Sequence, residues 1–523
     1  MKNSKKVLSV ILAVLMLLTC VPVFSFAEDG NGEVGQLFLI VEEDGRTTHW
    51  EDSEGNVVDL SSAKTSSSPK RAKAAASVPE KYDAREDGLV TPVKNQLLYG
   101  NCWAFAATSC VESTLIKKGI ADGKIDLSED HLTWFAKNSL VNDPNDPTSS
   151  DGYSYSDTKS AFDAGGTWMD SIAAYSRGSG PVFEKNYPFP TGEWAESERY
   201  NAEFRVTDCS AIDVTAANMA KIKRAIMQYG SVKTSYHNHT GFYNITENNG
   251  AAYYRPQSDG DTNHDVTIIG WDDNYAIENF NVEYRPKNKG AWLVKNSWGT
   301  DAEELVDGYF WMSYDESEVI TVSYYDAESK WIYDNTYQYD GTGSYSALYI
   351  PERSSAYGAN VFTAKRHEKL NYVGFYSEAG VNYTIYIYKL KNQKDSPTSG
   401  TLVSTTYGAE SYYGYHTAKL STPVEVNEGD VFSVILQISM YDGSTAKIFT
   451  EGIMYNASFD DYQSYFGTDK AFMDMISPNK GYYKTAGNVC LKVMSKNISE
   501  CNHNYTSVTS EATCTSRGGT TYT

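Results

Sequence analysis

One cysteine at the start of a predicted helix constrains this chain more than any other feature. In residues 93–106 the pattern becomes helical after Asn101, with small and apolar residues at three- and four-residue spacings. Asn101 is a favourable N-cap, and the Lys-Lys-Gly sequence at 117–119 is a typical helix end. Cys102 therefore lies in the first helical turn, where free backbone N–H groups and the helix dipole stabilise a thiolate. The ordinary alternative is a small buried side chain, as expected for Cys110 in the middle of the helix.

A cysteine nucleophile needs a base, and His264 is the candidate among the eight histidines of the chain. His264 opens an apolar segment that ends in glycine at 270, which predicts a strand. Asn296 follows a second apolar segment and precedes Ser-Trp-Gly at 297–299. Taken singly, a histidine at a strand start and an asparagine before a glycine are ordinary features of strands and turns.

Taken together, these segments resemble the papain-like cysteine peptidases, the family of papain and the cathepsins. The resemblance covers residues 78–320 and rests on Gln96 six residues before Cys102, on Asn-His at 263–264 and on Lys-Asn-Ser-Trp-Gly at 295–299, in the order of the family. It implies an α+β fold with two lobes, one helical and one a β-barrel. It also implies a cysteine-type peptidase that acts on a protein or peptide substrate and needs no cofactor or metal ion.

The resemblance assigns a role to each catalytic position. Cys102 is expected to be the nucleophile, His264 the general base and acid, Asn296 the residue that orients His264, and Gln96 a donor to the oxyanion hole. The substrate-binding residues that the resemblance implies are Gly165, Gly166, Trp168, Asn263 and Trp298. A plain turn is the alternative for the two glycines.

The chain also departs from the family pattern. Tyr99 occupies the place, three residues before the nucleophile, where the family often has a disulfide-bonded cysteine. His264 and Asn296 follow Cys102 by 162 and 194 residues, against roughly 130–150 in the family. We therefore expect insertions around residues 138–165 and before His264, and no disulfide at position 99.

Residues 333–495 have a different character, with short β-branched and aromatic segments separated by Gly, Asn, Asp and Ser. This pattern predicts an all-β sandwich. The region resembles the lectin-like domain that follows the peptidase domain in some bacterial papain-like proteins, which makes a cell-surface glycan a candidate partner. The alternative is that its many tyrosines are simply good strand formers.

The N-terminal residues predict export. Lysines, an apolar run at 7–18 and small residues at 25 and 27 are typical of a signal peptide over residues 1–27, so we expect a secreted, extracellular or loosely surface-associated protein without a later membrane span. A lipoprotein signal at Cys20 is the alternative, although Thr19 fits it poorly. Residues 28–77 lack apolar periodicity and predict a flexible pro-segment or linker.

The chain is strongly acidic, and its C-terminal residues are polar. The chain has 45 Lys+Arg against 67 Asp+Glu, a net charge of −22, which excludes nucleic acid as the default partner. Residues 496–523 form a Thr/Ser-rich tail in which Cys501, His503 and Cys514 offer three zinc ligands where a structural site needs four. Three ligands are one short of such a site, so we expect disorder or the start of a repeat for this tail.

These observations predict a secreted papain-like cysteine endopeptidase with a β-sandwich accessory domain. Two alternatives stay open. One is a catalytically weak surface adhesin that works through the lectin-like domain, and the other is a thiol amidase or transpeptidase that uses the same Cys-His pair.

Overall fold

The computed structural model describes most of the chain from residue 77 onwards and three short segments before it. The described residues are 35–41, 48–52, 57–58, 77–138, 147–148, 150–152, 158–190, 192–246, 250–257, 260–452, 457–469, 471–475, 486–498, 507–510 and 519–522. The predicted signal peptide, half of the predicted 138–165 insertion, and Cys501, His503 and Cys514 lie outside them. No helix within these described ranges is long and apolar enough to cross a membrane.

Five α-helices lie in the first half of the described chain. They are α1 (Cys102–Lys117), α2 (Glu129–Lys137), α3 (Thr158–Asp163), α4 (Trp168–Ser176) and α5 (Met219–Tyr229). Helix α1 is buried on all sides from Cys102 to Leu115, as expected for a helix that lies between two packed layers. It ends where the sequence predicts, with Lys118 as C-cap and Gly119 in a left-handed conformation at φ 67°.

Strands are the main other regular elements of the described residues. The three before the peptidase region are β1 (Gly35–Val41), β2 (Thr48–Asp52) and β3 (Val57–Val58). The peptidase region contains β4 (Lys81–Asp83), β5 (Phe204–Asp213), β6 (Val232–Tyr236), β7 (Tyr243–Thr246), β8 (Gly250–Tyr253), β9 (His264–Asp272), β10 (Ala291–Lys295), β11 (Tyr309–Ser313) and β12 (Thr321–Ser329).

In the described residues from 333 to 497 the regular elements are strands, and no α-helix occurs among them. These strands are β13 (Asn335–Tyr337), β14 (Ser346–Tyr349), β15 (Ser355–Thr363), β16 (Glu368–Ser377), β17 (Val381–Leu390), β18 (Thr401–Glu410), β19 (Tyr413–Val426), β20 (Val431–Met440), β21 (Lys447–Thr450), β22 (Ser464–Gly467), β23 (Phe472–Asp474) and β24 (Leu491–Asn497). A separate hairpin is formed by β25 (Ser507–Ser510) and β26 (Gly519–Tyr522).

The peptidase region has the two predicted lobes. Helices α1 to α4 form the helical lobe, and the strands in the order β5-β12-β6-β9-β10-β11-β8-β7 form the β lobe, with β4 also paired to β9. Strand β9 is the centre of this sheet because it pairs antiparallel with β4, β6 and β10. A bond from Thr267 Oγ1 to the Ala106 carbonyl, 3.4 Å long, connects β9 to α1. The elements that carry Cys102 and His264 therefore lie against each other.

The later region is the predicted all-β sandwich. One sheet has the order β18-β17-β20-β15-β22-β23, and the facing layer consists of β13, β24, β16 and β19. Alternate side chains from both layers, such as Ile385 and Leu436 from one and Val373 and Leu420 from the other, form a single apolar core.

The two regions share one continuous sheet, a connection that the sequence did not predict. Residues 413–416 of β19 pair antiparallel with residues 208–211 of β5, which joins the sandwich to the β lobe within a thirteen-stranded sheet. Gly414 lies at this junction, where an added Cβ would meet the Cys209 carbonyl oxygen at 2.1 Å. The close approach of the two backbones therefore requires glycine at this position.

Part of the predicted flexible connector is ordered as strands. Strand β1 pairs antiparallel with β14, and β2 and β3 continue the same sheet, whose order is β21-β14-β1-β2-β3. The expectation of a connector without regular structure is wrong for these residues. The residues form strands because of a contact that is distant in the sequence. The edge of β14 offers unpaired backbone groups, and such an edge accepts a further strand.

Candidate active site

Cys102 is the first residue of α1 and is 2% exposed. Asn101 occupies the N-cap position as predicted, but its side chain makes no capping bond. Its amide nitrogen instead donates to Thr133 Oγ1 of α2 at 3.3 Å. The predicted position of the helix start is thus correct, whereas the side chain of Asn101 holds α2 against the cysteine-bearing loop.

His264 is the first residue of β9 and is buried. Its Nε2 atom lies 2.7 Å from Oδ1 of Asn296, which directly follows β10. The indole of Trp298 stacks on the imidazole, with ring centroids 4.5 Å apart and planes at 26°. Two residues of the same short segment therefore fix the histidine ring: Asn296 by a hydrogen bond to its edge, and Trp298 by stacking on one face.

Gln96 is brought to this segment by backbone pairing. The Gln96 N–H donates to the Ser297 carbonyl at 2.8 Å, and the Gly299 N–H donates to the Lys94 carbonyl at 2.9 Å. The Gln96 side chain is held at both ends: Oε1 accepts from Ser297 Oγ at 2.7 Å, and Nε2 donates to the Tyr99 carbonyl at 2.8 Å. A primary amide nitrogen carries two N–H donors, so this arrangement orients one further donor.

The glycine pair predicted for substrate binding lies beside the cysteine-bearing loop. The Gly100 N–H donates to Asp163 Oδ1 at 3.2 Å, which ties the loop to the end of α3. Gly165 has a left-handed φ of 70°, and a Cβ on Gly166 would lie 2.6 Å from the indole of Trp103. Both positions therefore require glycine, one for its conformation and one for its close packing.

Two other predicted substrate-binding residues have structural contacts of their own. The indole of Trp168 meets the ring of Tyr413 in the sandwich at 5.5 Å and 83°, so it lies at the junction of the two regions. Asn263 is exposed next to His264, and its side chain accepts from the Asn238 N–H at 2.7 Å and donates to the Asn238 carbonyl at 3.0 Å. Asn263 thereby fixes the loop after β6 next to the histidine.

A cluster of charged side chains, which the sequence motifs do not predict, lies beneath the site. Lys94 Nζ lies 3.0 Å from Glu112 and 2.8 Å from Glu129. Lys295 Nζ donates to Thr91 Oγ1 at 3.0 Å. Burial raises the pKa of Glu129 to about 8, against the opposing effect of Lys94, and burial lowers the pKa of Lys295 to about 8.

A signal for this cluster exists in the sequence. Glu112 is the one acidic residue in the helix 102–117, and Lys295 ends an apolar strand. A charged residue within an otherwise buried element is costly unless it is paired, so such positions predict a buried partner. The sequence does not reveal which partner each of them meets.

Comparison with known proteins agrees with this architecture. Residues 78–328 match the family model described as papain family cysteine protease, and residues 336–495 match the model described as lectin like domain. Rat procathepsin L is 31% identical over 248 residues, which are 46% of this chain and 62% of the relative. Mouse cathepsin K is 28% identical over 225 residues, which are 42% of this chain and 56% of the relative.

A solved structure shares both regions. The crystal structure of the cysteine protease and lectin-like domains of Cwp84, a surface layer associated protein of Clostridium difficile, aligns with a TM-score of 0.66 at 24% identity and covers 84% of this chain and 91% of that one. The same clostridial protease after propeptide cleavage aligns with a TM-score of 0.66 at 25% identity and covers 80% and 99%. The order of a two-lobed protease fold and an all-β domain is therefore the same in both proteins. This chain accordingly contains a papain-family cysteine protease domain followed by a lectin-like domain.

Proposed function

We propose that the protein is a secreted cysteine endopeptidase in which Cys102 and His264 carry the reaction and Asn296 and Gln96 assist it. The observation that carries this proposal is the bond between His264 Nε2 and Asn296 Oδ1 at 2.7 Å, under the stacked Trp298 indole. Asn296 Oδ1 also accepts from the Ser297 N–H at 2.8 Å, so this oxygen is an acceptor and the proton lies on His264 Nε2. The Nδ1 atom is then the nitrogen left to exchange a proton with a thiol.

The reaction follows from these positions. The Cys102 thiolate attacks the carbonyl carbon of the scissile peptide, and the carbonyl π electrons move to oxygen. As the tetrahedral intermediate collapses, the C–N bond breaks and the His264 imidazolium gives its proton to the leaving amine. Neutral His264 then takes a proton from water, and the resulting hydroxide attacks the thioester carbon. The C–S bond breaks, which restores the Cys102 thiolate beside the His264 imidazolium, and the carboxylic acid product leaves and gives its proton to solvent.

Two hydrogen-bond donors stabilise the anionic oxygen of the tetrahedral intermediate. The backbone N–H of Cys102 at the start of α1 is one, because the first helical turn has N–H groups without helical acceptors. The second N–H of the Gln96 amide is the other. Its orientation is supported by the bonds that Gln96 makes with Ser297 and Tyr99.

Substrate is proposed to bind along Gly165 and Gly166, whose lack of side chains allows an extended peptide to approach the backbone. Asn263 and Trp298 border the same site, since each lies within two residues of His264 or Asn296 in the chain. The contact of Trp168 with Tyr413 favours a supporting role for this indole at the junction, and direct contact with substrate stays a prediction for it.

Export and a surface location are further parts of the proposal. Residues 1–27 are proposed to direct secretion, with cleavage after Ala27, and residues 28–77 to form a pro-segment or linker between that site and the protease domain. The lectin-like domain is proposed to bind a cell-surface glycan, a role that the name of its family model favours.

The test of the peptidase is covalent labelling with an epoxide thiol inhibitor, followed by mapping of the adduct and an assay of peptide cleavage. We expect one adduct, on Cys102, and loss of both labelling and cleavage in Cys102→Ala. The matched control is Cys110→Ala, which removes a buried thiol from the same helix and should leave labelling of Cys102 intact.

Two outcomes would overturn parts of this proposal. Absence of labelling at Cys102 in folded protein would contradict the enzyme and favour an adhesin that works through its lectin-like domain. Labelling without peptide cleavage, together with transfer of the acyl group to an added amine or release of ammonia, would favour a thiol transpeptidase or amidase.

A further inference from the structure

The outer face of the six-stranded sheet in the lectin-like domain is aromatic where a solvent-facing sheet is normally polar. Side chains alternate between the two faces of a strand, and Ile385 and Ile387 of β17 point into the sandwich core. Thr384, Tyr386 and Tyr388 of the same strand therefore point outward.

Strand register aligns outward side chains in two neighbouring rows. The first row consists of Thr405, Tyr386, Ile435, Ala359 and Tyr465 on β18, β17, β20, β15 and β22. The second consists of Tyr407, Thr384, Gln437, Tyr357, Gly467 and Phe472, which continues to β23. We call these two rows the aromatic face.

Four rings of the aromatic face are accessible, whereas Tyr465 in the first row is buried, as are Ile435 and Ala359 beside it. Tyr407 is 74% exposed, and Tyr386, Tyr357 and Phe472 are half-buried. Tyr357 and Phe472 meet edge to face with centroids 6.4 Å apart, on either side of Gly467 in the register. The second row thus presents aromatic rings at both ends, Tyr407 at one and Tyr357 with Phe472 at the other.

Hydrogen-bonding groups lie between the rings. Tyr386 Oη donates to Gln437 Oε1 at 3.0 Å, which leaves the amide nitrogen of Gln437 directed toward Ser439 Oγ at 3.5 Å. Thr384 lies beside Gln437 in the register and contributes a hydroxyl. Aromatic rings with a few fixed amide and hydroxyl groups are the composition of a site for a small amphipathic ligand.

Charge narrows the chemical class of this ligand. The chain has a net charge of −22, yet the side chains of the two rows named above are uncharged. Asp474 continues the first row on β23, where its carboxylate accepts from the Tyr462 N–H at 2.7 Å, and the charge of Asp469 acts on Tyr357 in the second row. A phosphate or an acidic sugar would need positive charges, which these rows lack, and the acidic side chains beside the rows would repel it. A neutral ligand matches the surface.

We propose that the aromatic face binds a neutral oligosaccharide, an inference that rests on the glycan-binding role proposed above. Sugar rings stack with their apolar faces on Tyr407, Tyr386 and Tyr357, while sugar hydroxyls bond to Gln437 and Thr384. From Tyr407 to Tyr357 the second row crosses three strand intervals, about 14 Å at the usual spacing. That length accommodates several linked sugar rings instead of a single one.

The experiment uses the full chain carrying Cys102→Ala, so that proteolysis does not interfere, on an array of neutral and acidic glycans, followed by calorimetry with a bound glycan. We expect binding to neutral oligosaccharides. The double variant Tyr386→Ala/Tyr407→Ala should weaken binding about tenfold or more, because two stacking rings are lost. Tyr200→Ala, at an exposed tyrosine of the protease domain, is the matched control and should bind like the parent.

The single variant Tyr407→Ala is a check on folding, because this ring is largely exposed and its removal should not disturb the core. We expect this variant to bind glycan more weakly than the parent and to keep the parent's near-UV circular dichroism spectrum. If the folded double variant bound glycan as tightly as the parent, the aromatic face would not be the binding site. The glycan would then bind elsewhere on the protein. Lack of binding to every glycan would overturn the glycan role itself. A preference for acidic glycans would contradict the proposal that the ligand is neutral. None of these outcomes bears on peptide cleavage by the protein with Cys102 intact.

Discussion

His264 Nε2 and Asn296 Oδ1 are 2.7 Å apart, at the ends of two neighbouring antiparallel strands. His264 begins β9 and Asn296 follows β10, with a register shift between Leu293 and Val294. The position of the imidazole is therefore determined by strand pairing as well as by its own rotamer.

Replacement of Asn296 by alanine should lower kcat/KM for a peptide by about 10- to 100-fold. The variant loses one hydrogen bond to a ring that becomes charged, worth about 1.5–3 kcal/mol, and each 1.4 kcal/mol is tenfold in rate. Steady-state kinetics and the rate of epoxide labelling are the measurements. Asn274→Ala removes an exposed asparagine and should match the wild type; an equal loss in both variants would contradict the assigned role.

Replacement of Gln96 by alanine should lower kcat by about 10²–10³-fold with little change in KM, because a donor to the oxyanion is lost in the transition state. The matched variant Ser297→Ala keeps the amide but removes the hydroxyl that donates to Gln96 Oε1, so a smaller loss is expected. If Gln96→Ala turned over at the wild-type rate, Gln96 would not belong to the oxyanion hole.

Replacement of Glu112 by alanine should destabilise the protein by about 3 kcal/mol. This carboxylate is fully buried and bonds to Lys94, to Thr91 Oγ1 and to the Leu127 N–H, so its loss leaves buried groups without a partner. Urea unfolding followed by tryptophan fluorescence measures the change. Glu203→Ala breaks a partly exposed pair with Lys330 and should cost less than about 1 kcal/mol; similar costs for both would mean that the buried cluster is not stabilising.

The stability of the protein should fall as the pH decreases from about 6.5 to 4, in part because of His131. The ring is packed between Phe135 and Tyr187, and burial lowers its pKa to about 4. The unfolded chain binds this proton below pH 6.5 whereas the folded chain binds it only near pH 4, so acid favours unfolding by up to roughly 3 kcal/mol.

His131→Gln should remove this part of the pH dependence, which urea unfolding between pH 4.5 and 7 would measure as a shallower slope. The exposed His239→Gln serves as the control and should retain the wild-type slope. An unchanged slope in folded His131→Gln would assign the acid sensitivity to carboxyl groups instead.

Gly414→Ala should weaken the connection between the protease and lectin-like domains. An added Cβ would collide with the Cys209 carbonyl oxygen, and we expect a loss of about 1–3 kcal/mol and a second transition in calorimetric unfolding. Gly123→Ala, where a Cβ has ordinary space, is the control. A single transition at the wild-type temperature would show that the β5–β19 pairing contributes little to the coupling of the domains.

The sequence by itself determined the local features of this protein. The helix start at Cys102, its end near Lys117, the strand that begins at His264 and the all-β character of the later region follow from periodicity and capping residues within short segments. The papain-like resemblance rests on equally local motifs, so it indicated the protease family before any pairing was known.

Only the tertiary structure decided which segments meet. Three contacts connect positions that are far apart in the sequence: the pairing of residues 94–96 with 297–299, the junction of β5 with β19 and the addition of β1 to β14. The side chain of Asn101 bonds to Thr133 and the ring of Trp168 meets Tyr413 for the same reason. Periodicity fixes which face of an element is apolar, but not which other element covers it; that choice depends on register and packing across the whole chain.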